Sequence, residues 1–299
     1  MKKLFLLSTM LLVCLMAQAQ SLKVTPTMKK GDVKTYAFTT TTNVAGKDMT
    51  FTSDAVYTVT EENADGYVVN YQTKNFKSNI ETDDLVGRLV TASSELMARA
   101  AIDIIVDKEG KVKGIKNFEN VKKNMAEAAD KMIDEMIKAM PDAENALPKD
   151  KLKEQVMASA TEEAVVKSLQ ESTSALTLNG KTLSTGSQDE YVNDQGLKMK
   201  RMYFVSPGGK VTMTANMDMD KESLKKMIIE KVTEMAPDQA EMVKQNIDMV
   251  LSSGMLKLEA TEKGSYEVGN DGWMKTISVE KEMNTMGQKV TVKSVGTIK

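Results

Sequence analysis

The chain has 299 residues, 41% of them hydrophobic and 27% charged, with 24 Met, one Cys, no His and a net charge of −2. Without His, and with its single thiol at Cys14, it lacks the usual acid–base, nucleophilic and zinc-binding constellations. The mild acidity argues against a nucleic-acid partner, and an aromatic content of 5% offers no evident stacking platform for bases or sugars.

Residues 1–19 read as a signal peptide. Lys2 and Lys3 form a basic start, Leu4 to Met16 is an apolar run too short to span a bilayer, and Ala17-Gln18-Ala19 is a small-x-small cleavage site. Cys14 follows Val13, where a lipoprotein signal carries a small residue, so lipidation is not expected and cleavage removes the only thiol. The protein is therefore expected to be exported, to the periplasm, the cell surface or the medium, with no transmembrane span after cleavage near Ala19.

Residues 20–299 are expected to form a single α+β domain. From 31 to 77, runs such as Tyr36-Ala37-Phe38-Thr39-Thr40 and Tyr67-Val68-Val69-Asn70-Tyr71 alternate as strands of an antiparallel meander, with turn residues at Asn43 to Asp48 and Glu61 to Gly66. A first unit, 101–176, pairs Ile102–Val106 with Lys111–Ile115. It continues from an N-cap at Asn117 into a helix striped by Val121, Met125, Ala128, Met132, Met136 and Met140. Pro141 stops that helix, and Pro148 opens a second one running toward Leu176.

A second unit, 197–252, repeats this order. A hairpin turning at Ser206-Pro207-Gly208-Gly209 leads to a helix that meets Pro237 and resumes to Leu251. Gly110-Lys111-Val112 answers Gly209-Lys210-Val211, and Met140-Pro141-Asp142 answers Ala236-Pro237-Asp238, which suggests an internal duplication; two unrelated helix pairs would give the same pattern. A closing meander, 255–298, is expected to include separate strands at Leu256–Ala260 and Ser265–Val268. The fold expected is a curved antiparallel sheet with two amphipathic helical hairpins on one face.

The segment VTMTANMDMD, Val211 to Asp220, raises the question of Cu(I) or Ag(I) binding through thioether sulfur. Its register points elsewhere: Val211, Met213, Ala215 and Met217 share one strand face, and Asp220 stands where a helix N-cap belongs. No metal site, catalytic residue or cofactor is therefore assigned. Gly180-Lys181-Thr182 ends like a phosphate-binding loop, but Ala175 occupies the place of its first glycine.

Methionine is flexible and polarizable, suited either to filling a core or to lining an adaptable apolar cavity. An apolar ligand or lipid between sheet and helices would be lined by Met125, Met132, Met136, Met213, Met217, Met227 and Met235. The alternative is a structural or interaction module of the envelope, binding other envelope proteins and no ligand.

The leader ending Ala17-Gln18-Ala19-Gln20, the stretch Lys30-Gly31-Asp32-Val33-Lys34-Thr35-Tyr36 and the hairpin Val106-Asp107-Lys108-Glu109-Gly110-Lys111-Val112 resemble uncharacterised exported proteins of Bacteroidota. That resemblance implies no catalytic residues. At the level of architecture, a curved sheet holding helices looks like the periplasmic lipoprotein carriers, which shelter acyl chains between sheet and helices.

Overall fold

The structure, a computed structural model, describes residues 21–44, 46–80, 100–139, 148–158, 160–171, 174–193, 196–235, 237–252, 258–285 and 288–299. The expected signal peptide, Met140 and Pro141 lie outside them.

The expected α+β architecture is present. Among the described residues, eleven strands form one open antiparallel sheet whose two outer strands are β6 and β8. From the β6 edge the order runs β6 (Val112–Ile115), β5 (Ile102–Asp107), β4 (Gly66–Ser78), β3 (Lys47–Glu62) and β2 (Val33–Val44). It then passes to β13 (Gln288–Ile298), β12 (Met274–Thr285), β11 (Leu258–Val268), β10 (Lys210–Met217), β9 (Lys198–Ser206) and β8 (Gln188–Val192). The two meanders are thus joined where the last strand pairs with β2, in register from Val290 opposite Val44 to Ile298 opposite Tyr36. A separate two-stranded ladder of β1 (Ser21–Lys23) and β7 (Thr182–Ser184) lies against β9.

Alternation along the strands separates a buried face from a wet one. Val211, Met213 and Ala215 are buried while Thr212, Thr214 and Asn216 are exposed, so the Met-rich segment is an ordinary half-buried strand. Asp220 caps the next helix, accepting the Ser223 N–H at 2.7 Å. Residues 258–268 form one strand, against the expectation of two. Gly264 makes no turn: the chain stays extended through it, and the Tyr266 ring packs over it, 2.7 Å from where a β-carbon would stand.

The first helical block differs from the expected hairpin. Helix α1 (Phe118–Ala139) is followed by two short helices, α2 (Lys149–Ala158) and α3 (Glu162–Glu171), rather than one helix reaching Leu176. The break comes at Thr161, whose Oγ1 accepts the Ala164 N–H at 3.1 Å and starts α3 afresh. Asn117 precedes α1, but its side chain ties the helix to the start of β5 instead of capping: Oδ1 accepts the Asp103 N–H and Nδ2 donates to the Ala101 carbonyl, each at 2.9 Å. The apolar stripe of α1 is rotated as well. Val121, Ala129 and Ile133 are its buried residues, and Met132 is 39% exposed.

The second block is a helical pair, α4 (Lys221–Met235) and α5 (Pro237–Ser252), packed on each other and tied by a 2.7 Å Lys225–Asp248 ion pair. Pro237 takes the first position of α5, where its missing N–H costs nothing. The two units of the suggested duplication hold different places in the sheet, since β6 is an outer strand whereas β10 lies between β9 and β11.

Buried segments without regular structure complete the core. Ser174 to Asn179 runs through the interior with Ala175, Leu176 and Leu178 fully buried, and meets the N-terminal strand where Gly180 N–H donates to the Val24 carbonyl at 2.8 Å. Trp273 anchors the same region, its Nε1 donating to the Thr27 carbonyl at 3.0 Å. Gly272, at φ 78°, passes so close to Thr25 and Pro26 that no side chain would fit.

Candidate functional site

The buried face is not flat over β2–β4. Cross-strand pairing places small residues in neighbouring positions: Gly296 opposite Phe38, Phe38 opposite Ser53, Tyr36 opposite Ala55, and Ala55 opposite Thr73. Aromatic rings stand around that patch, because Phe51 lies opposite Thr40, and Tyr57 opposite Tyr71. Small side chains flanked by rings on one sheet face make a depression.

A β-bulge adds one further ring. Asn75 and Phe76 together oppose Ser53, with Asn75 at φ 53°, a left-handed conformation that Asn tolerates, and with its Nδ2 on Asp54 Oδ2 at 2.7 Å. Tyr71 and Thr73 face the depression, and strict alternation would bring Asn75 next. The inserted residue brings Phe76 instead, with its ring centroid 6.0 Å from that of Phe51.

Helices α1 and α3 roof the depression. Met125 of α1 and Ala164, Val165, Ser168 and Leu169 of α3 close over it, the α3 residues falling at the three- and four-residue spacing of one helical face. The result is a cavity of about 650 Å3, lined on the sheet side by Phe38, Thr40, Phe51, Ser53, Ala55, Tyr57, Tyr71, Thr73, Phe76, Ile102 and Ser294, and by Ser174 near the end of α3. Among the described lining residues none is Lys, Arg, Asp or Glu. Burial pushes the Tyr57 phenol well above its ordinary value, with Tyr71 adding to the effect, so it stays neutral.

Polar contacts hold α3 in place over the cavity. Its Glu162 Oε1 accepts the Ile115 N–H at 2.8 Å, and its Gln170 Nε2 donates to the Val112 carbonyl at 2.9 Å. Both backbone groups belong to the outer strand β6, so α3 covers part of that edge. At the helix C-terminus, Glu171 Oε2 lies 2.8 Å from the guanidinium of Arg201, a charge pair without the alignment of a hydrogen bond. Arg201 is 3% exposed. It donates from Nε to Asp189 Oδ1 at 2.7 Å and stacks 3.9 Å over the Tyr191 ring, whose hydroxyl donates to Glu262 at 2.6 Å. Lys181 completes the network through Asp189 Oδ2 at 2.8 Å.

The methionines expected to line a cavity are dispersed. Met125 lines it; Met136 is half-buried on the same helix and Met132 faces outward. Met213 is buried in the core near Tyr266, while Met217 and Met227 pack partly buried against that core. Met235 is the last residue of α4, and its side chain lies outside the described residues. Among the described residues no group of three or more Asp or Glu could hold a metal ion, and no helix is long and apolar enough to cross a membrane.

The aromatic lining was the part that composition obscured. Seven of the fourteen aromatic residues lie between Tyr36 and Phe76, and that clustering, rather than the total, was the available signal.

No family model matches the chain, and no curated protein matches it. Among solved structures it is similar to lipovitellin, described for its lipid–protein interactions, at 6% identity and a TM-score of 0.37, over 91% of this chain and 25% of that one. The chain thus spans about a quarter of that protein's length. It is also similar to a porin-like protein from Bacteroides uniformis ATCC 8492, at 9% identity and a TM-score of 0.19, over 93% of this chain and 100% of the other.

Proposed function

We propose that this is an exported, non-enzymatic protein of the cell envelope that binds an apolar, lipid-like ligand between β2–β5 and the helices α1 and α3. The observation that carries the reading is the cavity itself. Its volume of about 650 Å3 falls within the range of roughly 300–1,000 Å3 typical of small-molecule sites. Its walls are rings and aliphatic side chains, interrupted only by neutral hydroxyls. Such a lining stabilises a bound hydrocarbon by about 0.8 kcal/mol for each methylene removed from water. The reading of export rests on the basic, apolar and small-x-small succession of residues 1–19, and the reading as non-enzymatic rests on the sequence having no His and its single Cys within that segment.

Displacement of a neutral fluorescent reporter, 1-aminoanthracene, tests the site. Reporter fluorescence should rise on binding and fall when a long-chain apolar competitor is added. Ser168 lies exposed on the α3 lip of the cavity, so Ser168→Phe should fold normally and lose most of that signal. Equal reporter binding by the wild type and this variant would place the bound molecule elsewhere and contradict the assignment.

A further inference from the structure

The cavity floor carries hydroxyls in pairs, and their arrangement selects among apolar ligands. Thr40 Oγ1 and Ser294 Oγ stand 2.8 Å apart on adjacent strands, and Tyr71 OH and Thr73 Oγ1 stand 3.1 Å apart along β4. Ser294 is 8% exposed and Thr73 is 5% exposed, whereas Ala164 and Ser168 at the α3 lip are open to solvent. Thr40 and Tyr71, the other members of the pairs, are half-buried, so a molecule that entered past α3 would meet the hydroxyls with its leading end.

Each hydroxyl offers one donor and two lone pairs. A bond within a pair consumes one donor and one lone pair, leaving the other donor and the remaining lone pairs for a guest. A guest hydroxyl can use both kinds of partner, and an ester carbonyl can accept from the free donor without bringing a charge into the cavity. An ionised carboxylate or phosphate accepts only, and at that depth it would have no cation among the described lining residues, so its desolvation would go uncompensated.

We infer that the cavity takes a neutral lipid, such as a long-chain alcohol or an acylglycerol, with its uncharged polar group seated on the Thr40–Ser294 pair, and discriminates against ionised fatty acids. This rests on the cavity being the binding site.

The test is competition against bound 1-aminoanthracene by a sixteen-carbon alcohol, the fatty acid of equal chain length and the plain hydrocarbon, at about pH 8, where the acid is fully ionised. The alcohol should displace the reporter at a concentration at least about tenfold below that needed for the carboxylate, given the cost of burying an unpaired charge. Thr40→Val combined with Ser294→Ala should weaken the alcohol roughly fivefold, the size of one neutral hydrogen bond, and leave the hydrocarbon unchanged. Equal competition by acid and alcohol would overturn the inference, as would an alcohol affinity indifferent to the double substitution. If neither the reporter nor any competitor binds, the fault lies with the reading of the cavity as a ligand site.

Discussion

Phe38 lies across Gly296, and this single contact shows how the cavity depends on the absence of a side chain. A β-carbon added to Gly296 would stand 2.4 Å from Phe38 Cε1, with two further ring atoms within 2.9 Å. The Phe38 ring would then have to leave the sheet surface and move into the depression. Gly296→Ala should therefore destabilise the fold by about 1–3 kcal/mol through overpacking and weaken binding of the neutral reporter. Urea unfolding and reporter titration on the same variant check both effects, and unchanged values would mean that the ring has room elsewhere. The sequence makes Phe38 legible as an inward strand residue but leaves the role of Gly296 hidden. That role exists only through pairing between residues more than two hundred and fifty positions apart. The bulge at Asn75 is hidden for a related reason, since alternation read along one strand assumes that no residue is inserted. By contrast, Asp220 was readable as a cap because capping is local, and its bond to Ser223 spans three residues.

Among the elements, α3 is the one whose position defines the cavity, and none of its residues is fully buried. It is held by Glu162 and Gln170 on the edge of β6 and by Glu171 on Arg201. Arg201→Met would remove the cation that Asp189 and Glu171 share, leaving Asp189 with Lys181 alone and Glu171 without that charge partner, both carboxylates being partly open to solvent. The expected cost is about 1–3 kcal/mol, below the penalty for a fully buried ion pair because solvent and Lys181 compensate part of the lost charge. Amide hydrogen exchange in α3 should rise in this variant; a loss confined to β8 and β9 would mean that the helix is held by its apolar face alone. The strand-rich halves and the two helical blocks were legible from periodicity, because alternation and a stripe at three and four residues are properties of single elements. The break at Thr161 and the rotation of the α1 stripe toward Ala129 and Ile133 were not, since both are settled by what the helices meet. Methionine drew attention to the helices, yet among the described residues the Met side chains with the least exposure are Met28, Met199, Met213 and Met274, none of them helical.

At the scale of the whole molecule, acid should loosen the fold in a defined direction. Hydrogen bonds from Lys299 and Asn75 hold the Asp54 carboxyl below its ordinary value of 3.8. Burial acts to raise Asp189, but Lys181 and Arg201 outweigh it and hold that carboxyl below 3.8 as well. A carboxyl lowered in the folded state binds its proton more readily when unfolded. The stability it contributes is complete above the unfolded value and is lost as the pH falls through the lower, folded one. The urea midpoint should therefore be level from neutrality to about pH 5 and drop toward about pH 3. A midpoint unchanged at the acid end would show that these ion pairs contribute nothing net.

Sheet and roof enclose a cavity whose described lining carries no charged side chain, and the central claim is that something apolar occupies it. Native mass spectrometry of the protein, purified from its own cells without detergent exchange, tests it most directly. The expected result is a population heavier than the bare chain by the mass of a bound lipid, which organic extraction releases and which the Ser168→Phe variant lacks. A single species at the mass of the bare chain, identical in the wild type and the variant, would contradict it.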